Sequence, residues 1–497
     1  MVNRPCRPCL ARRSYRPLRP RRALWNALPA RWSARRTVAA QAIASLLLAA
    51  CASNPSRARG DGATGSDTTS VASLDAHSFP GPDATSCLTA DISLQNGNAA
   101  ALFDATKVPV FDLFLPQAEW EALQVHAREE EYVPARACYE GRGLGTVGLR
   151  FKGSYGSLYE CFDAKGTMIC PRLGMKIKFD EYATEQRFFG LKRLNFNAYL
   201  HDDSRMKEKL AYDLFRAMGI VTPRSAWAVV RVNGQSLGLF GMVEQVDGRF
   251  TADRWADNRD GNLYKELWPT HASDQQITDA LETNREAADI SAYRAFSQAV
   301  MTADDASLLP TLGKYMDIDY LARFLAVEDA IASYDGITYF WTDGKESTNH
   351  NYFIYEESPN RFTMIPWDAE ATFWINPNHA APHWTEIPTD CSITYPYWNG
   401  LAYAPGCDLV FRALNKDLGR WRAAARELLD GPFSLPTMVA SIDRYIQHIK
   451  DAAHADPTPS KYAPFDSAVG YLRTSLPGLR ERLEQLIAVP EGDGGAE

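Results

Sequence analysis

The hydrophobic period changes along this chain, and the change limits the fold classes open to it. In the first half of the folded part the period is two. Val147, Leu149 and Phe151 alternate with smaller or polar residues, and Met175, Ile177 and Phe179 share one strand face while Lys176 and Lys178 share the other. Ala226 to Val232, the turn Asn233-Gly234, and Ser236 to Val246 read as a hairpin with the type I′ turn that Asn-Gly favours. Farther on, Tyr320, Phe324, Val327 and Ile331 recur at helical spacing, which predicts a helix from Ile318 to Ser333. From about Leu409 helices dominate, broken by a Pro/Ser-rich loop near 456–466. Strands first and helices later imply an α+β architecture in two lobes.

Within that frame one segment carries chemistry. Asn349-His350-Asn351-Tyr352-Phe353-Ile354-Tyr355 and Phe362-Thr363-Met364-Ile365-Pro366-Trp367-Asp368 flank the polar turn Ser358-Pro359-Asn360. A regular hairpin centred between Pro359 and Asn360 puts Asn351 opposite Asp368. An amide oxygen beside a carboxylate suits a hard cation, Mg2+ above all, with a phosphate completing its shell. That chemistry points to phosphoryl transfer. Upstream, Asp203 or Ser204 is expected to cap a helix that ends at Gly219, with Met206, Leu210, Ala211, Leu214, Phe215 and Met218 as its apolar stripe. Glu208 lies at the margin of the stripe, where it could reach a strand lysine such as Lys176 or pair only with lysines of its own helix. The acids of Glu244-Gln245-Val246-Asp247 either end a strand in water or line a cleft.

Residues 1–50 contain eleven Arg, no Lys and no acid, and end in an apolar run from Val38 to Ala50. The run is too short to span a bilayer and fits a signal-peptide core. Leu48-Ala49-Ala50-Cys51 resembles a bacterial lipobox, which predicts an exported lipoprotein, with Cys51 lipidated and the chain held to the membrane of the cell envelope, the outer one if the cell has it. Residues 51–90 are rich in Ser, Thr, Gly, Asp, Ala and Pro and read as a tether. Residues 91–489 hold the folded part, and 490–497 a disordered tail. Removing eleven arginines from a chain of formal charge −8 leaves −19 for the remainder. Such an acidic body argues against a nucleic-acid partner.

Six cysteines come after the leader: Cys87, Cys138, Cys161, Cys170, Cys391 and Cys407. An even count in an exported chain favours disulfides over metal ligands. Fifteen pairings are open to six cysteines. The locally cheapest joins Cys161 to Cys170 and Cys391 to Cys407, which leaves Cys87 for Cys138.

Taken in order, Arg150-Phe151-Lys152-Gly153-Ser154, Lys176-Ile177-Lys178-Phe179, Asp203-Ser204 with Lys207-Glu208-Lys209-Leu210-Ala211, Val232-Asn233-Gly234 with Gly238, Glu244-Gln245-Val246-Asp247, Gly261-Asn262-Leu263-Tyr264-Lys265, Asp335, His350-Asn351-Tyr352 and Ile365-Pro366-Trp367-Asp368 resemble the CotH family of spore-coat-associated kinases. The resemblance runs over roughly residues 105–450. It implies an atypical protein-kinase-like fold that uses ATP with Mg2+ or Mn2+ to phosphorylate an unidentified protein acceptor on Ser/Thr, or itself. Carried over, it makes Lys176 the phosphate-contacting lysine and Glu208 the carboxylate that holds it. Asp335 becomes the catalytic acid that orients the acceptor hydroxyl, with Asp343 in the following insertion as the alternative. Asn351 and Asp368 become the metal ligands, Lys152-Gly153-Ser154 a phosphate cover through backbone amides, and Glu244 a residue near the junction of the lobes. A second expectation, of a different class, is a surface-anchored binding or adhesion protein whose nucleotide pocket is degenerate or unused.

Overall fold

In the first half, alternation closes a barrel. The computed structural model describes residues 87, 89–286, 289–344, 347–374, 380–397 and 400–488. The expected signal peptide, the lipidated Cys51, most of the tether and the tail lie outside the described residues. Strands β1 (Val110–Phe114), β2 (Val133–Tyr139), β3 (Arg142–Phe151), β4 (Met175–Lys178), β5 (Arg193–Asn197), β6 (Ser225–Val232) and β7 (Gln235–Glu244) form a closed barrel in the order β1-β2-β3-β4-β5-β7-β6. Parallel pairing of β1 with β6 completes it. Phe111, Leu113, Val147, Leu149, Met175, Ile177, Leu194, Phe196, Ala228 and Met242 fill the interior and are almost wholly buried. At about 25 cal/mol per Å2 of apolar surface, this interior is the main stabilising element of the strand-rich part. The β6–β7 turn has positive φ at both Asn233 (49°) and Gly234 (79°), the type I′ geometry expected from Asn-Gly.

Beyond the barrel the order is more mixed than strands followed by helices. β8 (Leu263–Lys265), β9 (Phe340–Thr342), β10 (Ser347–Thr348), β11 (Tyr352–Ser358), β12 (Arg361–Pro366), β13 (Thr394–Tyr397) and β14 (Gly400–Tyr403) are interleaved with helices. β12-β11-β8 make one small sheet and β10-β9-β14-β13 another. β11 and β12 are the hairpin expected from the sequence, whereas β9, β10, β13 and β14 are short, with few alternating residues, and escape a reading based on period. The helix Ile318–Ala330 is capped by Asp317, whose side chain accepts from the amides of Asp319 and Tyr320. The C-terminal helices are Leu409–Leu414, Leu418–Asp430, Leu435–His454 and Phe465–Ala488. They share one large apolar core with the Ile318–Ala330 and Lys207–Ala217 helices. The fold is therefore mixed α and β, as expected at that level, with a barrel where strands predominate.

Two local expectations are corrected. The helix carrying Glu208 spans Lys207–Ala217, and neither Asp203 nor Ser204 caps it. The N-cap position is Met206, which offers no side-chain cap, and Asp202 accepts from the amide of Lys207 at 2.8 Å. Asp203 instead takes the amides of Lys461, Tyr462 and Ala463, tying the Pro/Ser-rich loop to the barrel side. The β11–β12 hairpin is not regular. Ser358 pairs with Arg361 as the turn requires, but a bulge between Glu356 and Ser358 shifts the rest by one residue. Tyr352 then pairs with Pro366, and the amide of Trp367 reaches the carbonyl of Asn351 at 2.9 Å. Asn351 thus faces Trp367 across the hairpin rather than Asp368. An extra residue on one strand is how a bulge re-aims the side chains beyond it.

The cysteines pair as Cys87–Cys138, Cys161–Cys170 and Cys391–Cys407. The first ties the segment before β1 to β2.

Candidate active site

The outward faces of β3, β4 and β5 alternate with the barrel core and carry charge. Strand register puts Arg150, Lys176 and Asn195 side by side, with Lys152 and Asn197 one step along. The Lys176 ammonium is brought down to about 7, first by burial and then by Arg150, Lys152, Arg193 and Lys265 around it. Of these four, Arg150 lies against Glu130, Arg193 lies 4.0 Å from Asp247 and Lys265 lies 3.8 Å from Glu266, so Lys152 and Lys176 are the cations without a carboxylate ion pair among the described residues. Asn195 is fully buried, and its Oδ1 has no hydrogen-bond partner.

The expected link between Lys176 and Glu208 is not made. Glu208 accepts twice from Asn197 Nδ2, at 2.9 and 3.0 Å, and once from the Tyr212 hydroxyl at 3.2 Å. The lysine that reaches this group is Lys152, whose Nζ donates to Asn197 Oδ1 at 2.7 Å. Burial pushes the Glu208 carboxyl up to about 8, and Asp368 adds to the shift. Lys152 is lowered by burial, against the pull of Asp368 and Glu208. Tyr212 Oη also accepts from the Asp368 amide at 3.0 Å. A continuous path of hydrogen bonds therefore runs from Lys152 through Asn197, Glu208 and Tyr212 to the backbone of Asp368.

The Lys152-Gly153-Ser154 turn is tight. A Cβ on Gly153, whose φ is 141°, would lie 1.7 Å from Ser157 Oγ. The Lys152 amide is already bonded to the carbonyl of Gly174 at 2.8 Å, so it is not one of the amides a phosphate could use. Glu244 is not part of this group. It is wholly buried at the end of β7, with its carboxylate held by Arg224 and Arg254, and its register partner Leu194 faces the barrel interior.

On the other side, the small β8-β11-β12 sheet ends in three non-glycine residues with left-handed backbone: Glu266 (φ 52°), Asn351 (φ 65°) and Asp368 (φ 49°). Residues so held cost on the order of 1–3 kcal/mol each and persist where the surroundings over-determine them. Asn351 Nδ2 donates to the Asp335 carboxylate at 2.9 Å and to its carbonyl at 2.8 Å, which leaves Oδ1 as the atom available to a cation. The Asn351 amide donates to Glu266 Oε1 at 3.2 Å, and His350 Nδ1 lies 3.7 Å from Glu266 Oε2. Burial raises Glu266, but Lys265 and His350 outweigh it and hold the carboxyl well below the usual range. Asp335, delivered by the Ile318–Ala330 helix, also accepts from Trp341 Nε1 at 3.2 Å. Burial raises it to about 6, opposed by His350 and assisted by Asp368. Behind it, Gly336 lies against the buried Glu328, where a Cβ would meet Oε2 at 1.9 Å. Asp343 is exposed, directly after β9.

Among the described residues no three His, Cys, Asp or Glu side chains converge as a metal-holding group. The donors present, the exposed carboxylate of Asp368 and the Asn351 amide oxygen, fit Mg2+ bound through one or two protein oxygens, with water and phosphate supplying the rest. Sequence reasoning missed Asn197, Tyr212, Glu266 and Glu328. Tyr212 stands one helical turn after Glu208, a spacing that could have revealed it.

A family profile described as CotH kinase protein matches residues 149–480. Inner spore coat protein H of Bacillus subtilis (strain 168) is 24% identical over 279 residues, covering 54% of this chain and 70% of that protein. Invasin CotH7 of Rhizopus delemar is 24% identical over 204 residues, 39% of this chain, and the chain spans only 32% of its length. A chain of the Shewanella oneidensis MR-1 toxin–antitoxin complex of HipA, HipB and operator DNA overlaps 61% of this chain and 62% of its own, at 11% identity and a TM-score of 0.24, too low to carry an argument. The profile spans more than half of the sequence and takes in the barrel strands from β4 onward, Asp335 and both expected metal ligands, so the chain belongs to the CotH kinase protein family.

Proposed function

We propose that this protein is an ATP- and metal-dependent phosphotransferase of two-lobed, kinase-like build that phosphorylates protein Ser/Thr hydroxyls, its own or those of a separate acceptor. The observation that carries the reading is the hydrogen-bonded path from Lys152 to Asp368, a residue whose charge also acts on Asp335, itself bonded to Asn351. Phosphoryl transfer is mostly positioning and charge stabilisation, and these are the parts it needs. Lys176 and Lys152 would hold the nucleotide phosphates. Asn351 Oδ1 and Asp368 would hold a Mg2+ or Mn2+ ion, which when bound neutralises phosphate charge. Asp335 would orient the acceptor hydroxyl and take its proton as the new O–P bond forms and the bond to the leaving ADP breaks. A carboxyl near 6 is ionised at neutral pH yet basic enough to serve.

Membrane attachment through a lipid on Cys51, at the surface of an exported chain, belongs to the same proposal. No helix among the described residues is long and apolar enough to cross a membrane. The name of the invasin relative favours a second reading, surface adhesion without phosphate transfer.

Incubating the purified protein with labelled ATP and Mg2+ or Mn2+ separates the two. Transfer is expected, and Asp335→Asn should lower it by about 10²–10⁴-fold with nucleotide still bound. Asp343→Asn should leave it intact. Loss with Asp343→Asn alone would move the catalytic role there. Full transfer in both variants would refute the mechanism, and no transfer in the wild type would favour adhesion.

A further inference from the structure

Asp368 comes after β12 in left-handed backbone, with φ 49°. Peptide groups on either side of Trp367 are pinned by different parts of the molecule. The Trp367 amide donates to the carbonyl of Asn351 at 2.9 Å, within the hairpin. The Asp368 amide has no ladder partner and donates to Tyr212 Oη at 3.0 Å, across to the helix Lys207–Ala217. Tyr212 is wholly buried. Its own proton goes to Glu208 Oε1 at 3.2 Å, so the hydroxyl both donates and accepts and its rotation is fixed. A left-handed Asp is tolerated better than most residues but still needs a neighbour to hold it.

We propose that Tyr212 is a positioning residue for Asp368: its hydroxyl holds the left-handed turn that aims the Asp368 carboxylate at a divalent cation. The inference rests on reading Asp368 as a metal ligand. It assigns the Lys207–Ala217 helix a second task besides presenting Glu208. Any shift of that helix relative to the β8-β11-β12 sheet would break the bond and loosen the metal site while Lys176 and Asp335 stay where they are. Partners that orient a metal ligand typically change metal affinity about 10–100-fold when removed.

The test is Tyr212→Phe, which keeps the ring in its packing and removes one oxygen. Metal-free full-length protein with a stoichiometric β,γ-imido ATP analogue is titrated with Mn2+, and the EPR spectrum of protein-bound Mn2+ is followed. Wild type should bind, and Tyr212→Phe should bind about tenfold more weakly. Tyr445→Phe is the control. Its hydroxyl meets Asp213 on the same helix and touches neither Glu208 nor Asp368, so it tests for a general loosening of the helix. Mn2+ affinity should be unchanged there. An affinity in Tyr212→Phe within about twofold of wild type, or an equal loss in Tyr445→Phe, would overturn the proposal, set against the tenfold or greater loss expected of an orienting partner. Failure of the wild type to bind Mn2+ would overturn it too. Wild type that binds Mn2+ but transfers no phosphate would sink the kinase reading alone, since the titration still decides the role of Tyr212.

Discussion

The inner and outer faces of β3, β4 and β5 are made from the same strands, one residue apart, and they are built on opposite terms. Inward, Leu149, Phe151, Met175, Ile177, Leu194 and Phe196 are all within a few per cent of full burial and belong to one apolar cluster. Outward, Arg150, Lys152 and Lys176 crowd like charges together, and Asn195 keeps a buried oxygen without a partner. The first face lowers the free energy of the fold. The second raises it and is tolerated because the first can carry it, as expected where unfavourable charge and strain collect at functional sites. Since side chains alternate strictly, a one-residue slip in register would exchange the two faces.

The largest test of this contrast is on the inner face. Phe196→Ala should destabilise the protein by about 3–5 kcal/mol, because a large buried ring leaves a cavity the barrel cannot collapse around. Urea unfolding measures it. A loss below about 1 kcal/mol would mean that the interior is looser than its burial implies.

Much of the inner face was legible in the sequence, because period-two alternation needs no knowledge of partners. Met175, Ile177 and Phe179 on one side and two lysines on the other is what the strand shows. That the strands close into a barrel was not legible, since closure depends on β1 meeting β6 more than a hundred residues away. The site divides in the same way. Asp335, Asn351 and Asp368 stand out as residue types in a pattern, and Asp335 and Asn351 are joined directly. The partner of Glu208 was misread because two outward lysines on neighbouring strands, Lys152 and Lys176, look equivalent until register decides that Asn197 serves Lys152. Whether Glu244 meets water or lines a cleft stays open in the sequence, which carries no sign of Arg224 and Arg254 around it. The Asn351–Asp368 pairing failed by one residue, at a bulge that no turn rule foretells.

A medium-sized effect concerns the far wall of the site, where charge is used rather than tolerated. Asp335, raised to about 6 by burial, must be ionised to accept a proton. Transfer should therefore fall about tenfold per unit as pH drops below that value and level off above it. Because His350 opposes the rise, His350→Ala should move the limb to higher pH. A limb that stayed in place would show that the imidazole does not act on Asp335.

The smallest expected effect has the opposite sign from the barrel mutation, and that makes it the sharper test of the contrast. Lys176 titrates near 7 in the folded chain and near 10.5 when unfolded. Between those values the unfolded state binds more protons, so stability gains with rising pH. Below about 7 the cost of burying the ammonium among four other cations is fully present. Lys176→Met removes the titration. The variant should be more stable than wild type at about pH 6, by a few degrees in Tm, and the gap should shrink as pH rises toward the unfolded value. It should also fail to bind ATP, which separates the stability gain from the loss of function. A variant that unfolds earlier than wild type at low pH, or a gap that is constant with pH, would show that the outer face does not cost stability and that the two faces of these strands are not opposed in the way their charges imply.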